Sequence, residues 1–303
     1  MSVHRKGLLL ALGTALISGF AVFVNGYGVR AWSQFSDPTT YTTLKNLVAA
    51  VILIGALGAA SRSPSTFRPV APTGRVTRLG LGAVAVVGGS VAFVLFFEGL
   101  ALASSVQAAF IHKTLVIWVA ILAVALLRER IGLPHMAAIG LLLIGQVALV
   151  GGIGDLAFGR GELMILVATL LWAAEVVLAK RLLADVSSFT VGVARMAGGV
   201  ALLVAYGLAR GAFAELSGVT IEHVAWVLVT GVFLAGYVGT WFAALARAPA
   251  VDVTAVLVGG AIITALLRTA AGGALPSLAG IGLLVAGISV LIRSKWRRAP
   301  QPA

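Results

Sequence analysis

Residues 133–146 read LPHMAAIGLLLIGQ, and residues 275–288 read LPSLAGIGLLVAGI. Both stretches open on Leu-Pro, continue with an apolar run and place glycine at matching positions. Proline fits the first turn of a helix, and the run that follows lacks the apolar–polar alternation of a strand. The two stretches therefore predict two copies of one apolar helix.

Other matches between the two parts of the chain occur in the same order as this pair. Chance similarity of apolar segments is the alternative explanation. It is weakened because the matches share one order and because the number of residues between matched positions changes smoothly along the chain. Each part holds five predicted helices, and because five is an odd number the second copy must be inverted. We assign residues 1–152 and 153–303 to the two copies. The further matches are Phe97–Ala103 with Phe242–Ala248, Lys45 with Arg195, and Gly7 with Gly161.

Composition indicates an integral membrane protein. The 303 residues are 60% hydrophobic and 11% charged, with a mean hydropathy of +1.07. A soluble domain carries about a quarter charged residues. In lipid every backbone amide needs an internal partner, which leaves helices or barrels, and period-2 alternation is missing. Zero cysteines exclude disulfides, iron–sulfur ligation and thiol catalysis, and we expect no cofactor.

The apolar runs predict an all-α integral membrane protein with ten transmembrane helices. Each run is close to the roughly 20 residues that cross a bilayer core. The first run follows His4-Arg5-Lys6 and could pass for a secretory signal, but it continues past Val24 and further spans follow. The spans are predicted near 7–30, 39–60, 79–101, 105–127, 134–151, 161–182, 188–209, 224–246, 252–272 and 276–294.

The basic residues predict the orientation. The net charge of +12 does not form a stripe with interleaved aromatic residues, so we expect no nucleic-acid partner. With alternating loops, one side holds only Arg30, Arg160, Arg210 and Arg268 of the 22 Lys and Arg residues. Both termini are therefore predicted to be cytoplasmic, in a plasma (inner) membrane protein surrounded by lipid. The basic residues predicted on the cytoplasmic side are Arg5, Lys6, Arg62, Arg68, Arg75, Arg78, Arg128, Arg130, Lys180, Arg181, Arg247, Arg293, Lys295, Arg297 and Arg298.

Several features together resemble a known family. The second helix of each half carries a cation, Lys45 or Arg195, each half ends in a glycine-punctuated helix, and Glu129 precedes the first of these. With ten helices and short loops, the whole chain resembles the EamA-type members of the drug/metabolite transporter superfamily. The resemblance implies export or exchange of small metabolites by alternating access. It also implies a central cavity lined mainly by helices 1, 3, 4, 6, 8 and 9.

The chain departs from the family pattern in two places. Helix four commonly carries a proline where this chain has His112-Lys113-Thr114. The second half has Ala271-Gly272-Gly273 where a counterpart of Glu129 is often found. The first departure puts a charge near the expected cavity, and the second argues against a symmetric role for Glu129.

Lys113 is the leading candidate for a substrate contact. It lies about nine residues into helix four, roughly 13 Å deep at 1.5 Å per residue. Charged residues inside a span are costly and mark function by default. Lys113 is predicted to oppose an anionic group of the substrate, such as a carboxylate. Gln107 and His112 on the same helix, and Glu98 on helix three, are further candidates for substrate contact. A structural ion pair of Lys113 with Glu98, roughly 7 Å shallower, is the alternative, and a neutral histidine is the alternative for His112.

Two further pairs are expected to be structural. Glu175 and Arg195 lie equally far from the turn at Asp185, so they are predicted to sit at one depth and form an ion pair. Lys45 and Asn25 likewise lie equally far from the first turn, so they are also predicted to sit at one depth.

Aromatic residues near span centres are candidates for a cavity wall, with ordinary helix packing as the alternative. They are Trp118, Trp172, Tyr237 and Trp241.

These features favour a secondary transporter, an exporter or exchanger of small organic metabolites such as amino acids. A membrane scaffold is the alternative, but it gains little from charges at the midplane. An enzyme is disfavoured because no HExxH, GxSxG or Walker motif is present, and the loose glycine pattern at Gly152–Ala157 follows no strand. A homodimer is left open.

The orientation can be tested by fusion. Alkaline phosphatase, which is active only outside the cytoplasm, should be inactive when joined after Arg298, because the basic loops hold that end inside. The same enzyme inserted after Gly218 should be active, since that turn is predicted to face outward. Strong activity of the Arg298 fusion would contradict the ten-span topology.

Overall fold

A computed structural model describes residues 2–33, 35–62, 72–103, 105–149, 151–152 and 158–296, apart from the side chains of 105, 106 and 294–296. Its regular elements are helical throughout these ranges, which confirms the all-α class. Arg68, Arg297, Arg298 and residues 153–157 of the glycine pattern lie outside the described residues. The apolar helices are α1 Val3–Ser33, α2 Pro38–Arg62, α3 Arg75–Leu102, α4 Gln107–Leu127, α5 Leu133–Leu149, α6 Arg160–Leu182, α7 Ser188–Arg210, α8 Ile221–Leu245, α9 Ala250–Ala270 and α10 Leu278–Trp296.

The helices differ in whether they are long enough to span a bilayer. Within the described ranges, eight are long and apolar enough to cross a membrane, whereas α5 and the apolar part of α10 are shorter. The two short helices are the repeated stretches that open on Leu-Pro. Every predicted span corresponds to one helix, while the count of ten membrane crossings stays a prediction.

The two short helices pack against each other through reciprocal contacts. A Cβ atom added to Gly145 would lie 2.9 Å from the backbone nitrogen of Leu284. A Cβ atom added to Gly287 would lie 3.0 Å from the side chain of Leu142. Gly145 and Gly287 hold matching positions in the repeat, as do Leu142 and Leu284. When two copies are related by a two-fold axis, a residue of the first copy meets a second residue of the other copy, and the same contact occurs with the copies exchanged. The repeated motif therefore packs on its own copy.

The same reciprocity joins the first helices of the two halves to the opposite half. A Cβ atom on Gly7 would lie 2.8 Å from Cβ of Ala248, in the turn before α9. A Cβ atom on Gly161 would lie 2.9 Å from the backbone nitrogen of Ala103, in the turn before α4. Glycine is needed at both positions because the backbones approach closely, as is common where membrane helices meet.

Helices α4 and α9 are interrupted at corresponding positions. In α4 the N–H of Thr114 is shared between Ile111 O at 3.1 Å and Phe110 O at 3.3 Å. Thr114 O in turn accepts from the N–H of Ile117 at 2.8 Å and from that of Trp118 at 3.4 Å. In α9 the N–H of Gly259 donates to Val256 O at 3.0 Å and that of Ile262 donates to Gly259 O at 3.1 Å. Bonds from i+3 to i are those of a 3₁₀ turn, which interrupts an α-helix locally. Thr114 and Gly259 are related by the spacing that relates Phe97 to Phe242.

The reciprocal glycine contact can be tested inside one helix. Gly145→Ala should lower the free energy of unfolding by about 1–3 kcal/mol, because the new methyl group meets the backbone of α10. Gly140→Ala is the matched control, since its Cβ atom would meet nothing within 4 Å. Unfolding in detergent would measure both, and equal losses would contradict close packing at Gly145.

Candidate functional site

A cluster of rings joins helices α3, α4 and α6 at the centre of the bundle. We call Phe93, Phe96, Phe97, His112 and Trp172 the central aromatic cluster. The ring centroids of His112 and Trp172 are 5.0 Å apart, and those of Phe96 and His112 are 5.2 Å apart. Phe93 meets Trp172 at 5.5 Å edge to face and stacks on Phe97 at 6.4 Å. Such pairs add specific stabilisation to ordinary burial and fix how the three helices are rotated.

The backbone of α3 holds Trp172 in place. Residues Val87–Val91 form a π-helical turn, a geometry that appears frequently at functional sites. The indole nitrogen of Trp172 donates to Gly88 O in this turn at 3.1 Å. A buried indole N–H needs a partner, and this turn supplies it across the interface between α3 and α6.

Glu175 and Arg195 form an ion pair beside this turn. Arg195 Nε lies 2.6 Å from Glu175 Oε1, and both side chains are buried. The guanidinium carbon also lies 5.3 Å from the centroid of the Phe93 ring. A Cβ atom on Gly88 would overlap the Glu175 carboxyl group, so glycine gives that carboxyl group its space on α3. Tyr237 of α8 is close enough to interact electrostatically with both charges.

Lys45 occupies the corresponding position in the first half. Its Nζ donates to Asn25 Oδ1 at 3.3 Å and lies 3.9 Å from the centroid of the Phe97 ring. The ring of Tyr41 is 5.2 Å away, and Lys45 as a whole is only 4% exposed. The pairing of Lys45 with Asn25 follows the depth argument, whereas Phe97 and Tyr41 were not foreseen, because sequence does not reveal the rotation of α3 about its axis.

Lys113 lies at the interruption of α4 and is half-buried. No hydrogen bond or ion pair joins its side chain to another residue in the described part of the chain. The alternative pairing with Glu98 is wrong, because Glu98 Oε1 instead accepts a hydrogen bond from Tyr206 at 2.8 Å and lies 3.7 Å from Arg210 Nη1. Glu98 lies in the last turns of α3, and Arg210 ends α7, so the two meet at the end of the bundle.

The remaining predicted residues are distributed along α4 and α8. Trp118 Nε1 donates to Thr114 Oγ1 at 3.1 Å and so flanks the interruption of α4. Tyr237 and Trp241 stack on each other at 5.9 Å. Gln107 is buried near the start of α4. Of the aromatic residues singled out in the sequence, only Trp172 belongs to the central aromatic cluster, and the roles of all these residues stay predictions.

One end of the bundle carries a charged network that sequence reasoning missed. We call the end where α1 begins the basic end. There Asp252 of α9 is fully buried, 3.3 Å from His135 Nε2 of α5 and 3.8 Å from His4 Nε2 of α1. These residues lie far apart in sequence and at the first turns of helices, where a charge is unremarkable. A deeply buried aspartate next to two histidines could have been found only from the fold.

Glu129 and Lys180 tie further helices to the same end. Arg128 has a left-handed φ of 57° that ends α4 and turns the chain. The Glu129 carboxylate then accepts hydrogen bonds from the N–H groups of Ala250 at 2.8 Å and Val251 at 3.3 Å. A carboxylate at a helix N-terminus is favourable because it meets free N–H groups and the positive end of the helix dipole.

Lys180 provides the complementary contact at the end of α8. Its Nζ donates to Leu245 O at 2.5 Å and to Ala248 O at 2.8 Å. A cation is favourable beside the free carbonyls at the C-terminus of a helix. Glu129 and Lys180 therefore hold the two sides of the turn between α8 and α9.

The opposite end is held by a different set of contacts. Arg210 Nη2 lies 3.9 Å from Asp37 Oδ2, in addition to its contact with Glu98. Trp32 at the end of α1 donates to His223 O at 3.2 Å, and Thr40 of α2 donates to Ala212 O. The helices of both halves are thus in contact at the two ends, above and below the central aromatic cluster.

Comparison with known proteins agrees with this architecture. The chain matches the EamA-like transporter family over residues 5–151 and 159–295. No curated protein matches the chain. Among solved structures, 29 chains match. One crystal structure has a TM-score of 0.74, with 18% identity over 98% of this chain and 100% of that chain, a similarity that shows the fold alone.

The buried ion pair can be tested with a double-mutant cycle. Glu175→Gln or Arg195→Gln alone should cost about 3–5 kcal/mol, because each leaves a buried charge unpaired. The double variant should lose less than the sum of the two. The partly exposed pair Glu98–Arg210 is the control, where each change should cost about 1 kcal/mol or less. Strictly additive losses at Glu175 and Arg195 would contradict an interaction.

Proposed function

The chain belongs to the EamA-like transporter family, which confirms the resemblance found in the sequence, and from that premise we propose a specific mode of transport. The protein is a secondary transporter that exports or exchanges small organic metabolites, such as amino acids, by alternating access. It acts in the plasma (inner) membrane. The observation that carries this proposal is the pair of symmetrically interrupted helices α4 and α9.

Interrupted helices support a binding site near the middle of the membrane. In transporters with inverted repeats, substrate sites lie where discontinuous helices of the two repeats meet. Irregular backbone at membrane depth is tolerated only where it is buried in protein or lines a water-filled space. The turn at Thr114 adjoins Lys113, and the turn at Val258–Gly259 adjoins α1, where a Cβ atom on Gly260 would lie 2.6 Å from Ala15 O.

Lys113 supports an anionic substrate group at this interruption. An ammonium group near the midplane that faced lipid would cost about 2.5–3.5 kcal/mol. Lys113 is half-buried, and none of the ion pairs among the described residues gives it a carboxylate within 4 Å. A substrate carboxylate at this interruption would supply the missing counter-charge.

The contacts at the two ends support alternating access. At the basic end, Glu129 joins the end of α4 in the first half to the turn between α8 and α9. Lys180 joins α6 in the second half to the same turn. At the opposite end, Arg210 joins α7 to Glu98 of α3. Release of one set while the other is kept opens the centre to one side of the membrane at a time. In export, the substrate is released at the opposite end of the bundle.

Transport itself is tested by flux into proteoliposomes. The purified chain is screened with amino acids, other metabolites and cationic drugs, against liposomes without protein. Flux of no compound in any class would contradict the proposed function and favour the scaffold interpretation.

Lys113 is tested on the compound that gives the strongest flux. Lys113→Met should lower flux at least about tenfold, since it removes a charge-assisted contact of about 1.5–3 kcal/mol. Lys113→Arg should restore little, because the planar guanidinium does not reproduce a compact ammonium. Lys6→Met, which removes an exposed amine at the basic end, is the control. A folded Lys113→Met protein that transports normally would exclude Lys113 from the substrate site.

A further inference from the structure

Each half carries a polar contact at the same position of the repeat, but the two contacts differ in charge. Asn25 and Lys45 are twenty residues apart and meet between α1 and α2. Glu175 and Arg195 are also twenty residues apart and meet between α6 and α7. The cations Lys45 and Arg195 correspond in the repeat, and so do Asn25 and Glu175. The second half is therefore neutral at this position, whereas the first half has an amide in place of the carboxylate.

Lys45 consequently lacks the counter-charge that its counterpart has. Its side chain is almost fully buried, and no carboxylate lies within 4 Å of its Nζ in the described part of the chain. Burial of a charge is unfavourable unless it is paired. The Asn25 oxygen and the faces of Phe97 and Tyr41 offset part of this cost through a hydrogen bond and cation–π contacts. An anion beside Lys45 would offset the rest.

The surroundings of Lys45 favour access from the centre of the bundle. Toward the opposite end, Tyr41 OH contacts Thr230 Oγ1 at 3.0 Å and Asn25 Oδ1 at 3.2 Å, which closes that side. Toward the centre lies Phe97, which is half-buried and belongs to the central aromatic cluster. The ammonium of Lys45 lies over the face of the Phe97 ring, so a ligand in contact with this ring would come close to the ammonium.

We propose that Lys45 and Asn25 form an anion subsite that binds the carboxylate of a small organic acid, with the apolar body of the acid against Phe97. The proposal deepens the proposed function and rests on it, because it adds Lys45 to Lys113 as a second cation of the same central site and narrows the substrate class to organic acids. The ammonium of Lys45 pairs with one carboxylate oxygen. The amide nitrogen of Asn25 donates one hydrogen to Ala21 O at 2.9 Å and has a second hydrogen for the other carboxylate oxygen. Glu175 supplies that carboxylate permanently to Arg195, so the second half has no such subsite.

The subsite predicts a ligand response that needs no knowledge of the natural substrate. Benzoate is the probe, since it combines a carboxylate with a ring that can contact Phe97. Benzamide has the same shape without the charge, and chloride has the charge without the organic body. Benzoate should raise the melting temperature of the purified wild-type protein, whereas benzamide and chloride at the same concentration should not.

Two variants then assign the response to the subsite. Lys45→Met should weaken benzoate binding at least about tenfold. Asn25→Glu should rebuild the neutral pair of the second half, so that melting temperature rises without ligand and benzoate adds nothing. Lys6→Met is the control and should keep the benzoate response. If one variant does not fold, the other variant and the comparison of benzoate with benzamide in the wild type still decide.

The outcomes separate this inference from transport itself. A benzoate response that survives both variants, or a response shared equally by benzamide or chloride, overturns the anion subsite. Flux of neutral compounds with no benzoate response leaves the transporter function in place and also overturns the subsite. A benzoate response that depends on Lys45 in a protein without flux supports the subsite and removes the transporter function.

Discussion

The close approach of the two halves across glycine is the contact on which the rest of the structure depends. Lipid offers little hydrophobic driving force between helices, so their association relies on dense packing and on polar contacts. Gly145 against Leu284 and Gly287 against Leu142 make one such contact twice, as do Gly7 and Gly161 with the turns of the opposite half. Because both members of each pair are satisfied together, the two halves pack as copies related by a two-fold axis.

Buried charge is distributed unequally over this symmetric frame. The second half pairs Arg195 with Glu175, while the first half retains Lys45 and Lys113 without carboxylate partners in the described part of the chain. Phe93 contacts Arg195, and Phe97, stacked upon Phe93, contacts Lys45. The same helix therefore faces both cations. A symmetric fold with an asymmetric charge gives the centre a positive side, which is the physical basis of the proposed preference for anionic ligands.

The same asymmetry appears at the ends of the bundle. Glu129 caps α9 at the basic end, whereas the corresponding segment of the second half, Ala271-Gly272-Gly273, has no side chain that could cap α4 in this way. The opposite end relies instead on Arg210 with Glu98 and Asp37, which are partly exposed. Exposed ion pairs contribute little because water competes with them. The two ends thus differ in how firmly they are held.

The sequence by itself determined the helices, their order, the repeat and the depth at which residues of one hairpin meet. Depth follows from counting residues from a turn, and this reasoning found Glu175 with Arg195 and Asn25 with Lys45. Only the tertiary structure decided which side chains meet between distant helices, such as Phe97 with Lys45, Glu129 with α9, and Glu98 with Arg210 rather than Lys113. Those contacts depend on the rotation and lateral position of each helix. Apolar residues surround the whole circumference of a membrane helix, so the sequence pattern does not reveal which face meets which neighbour.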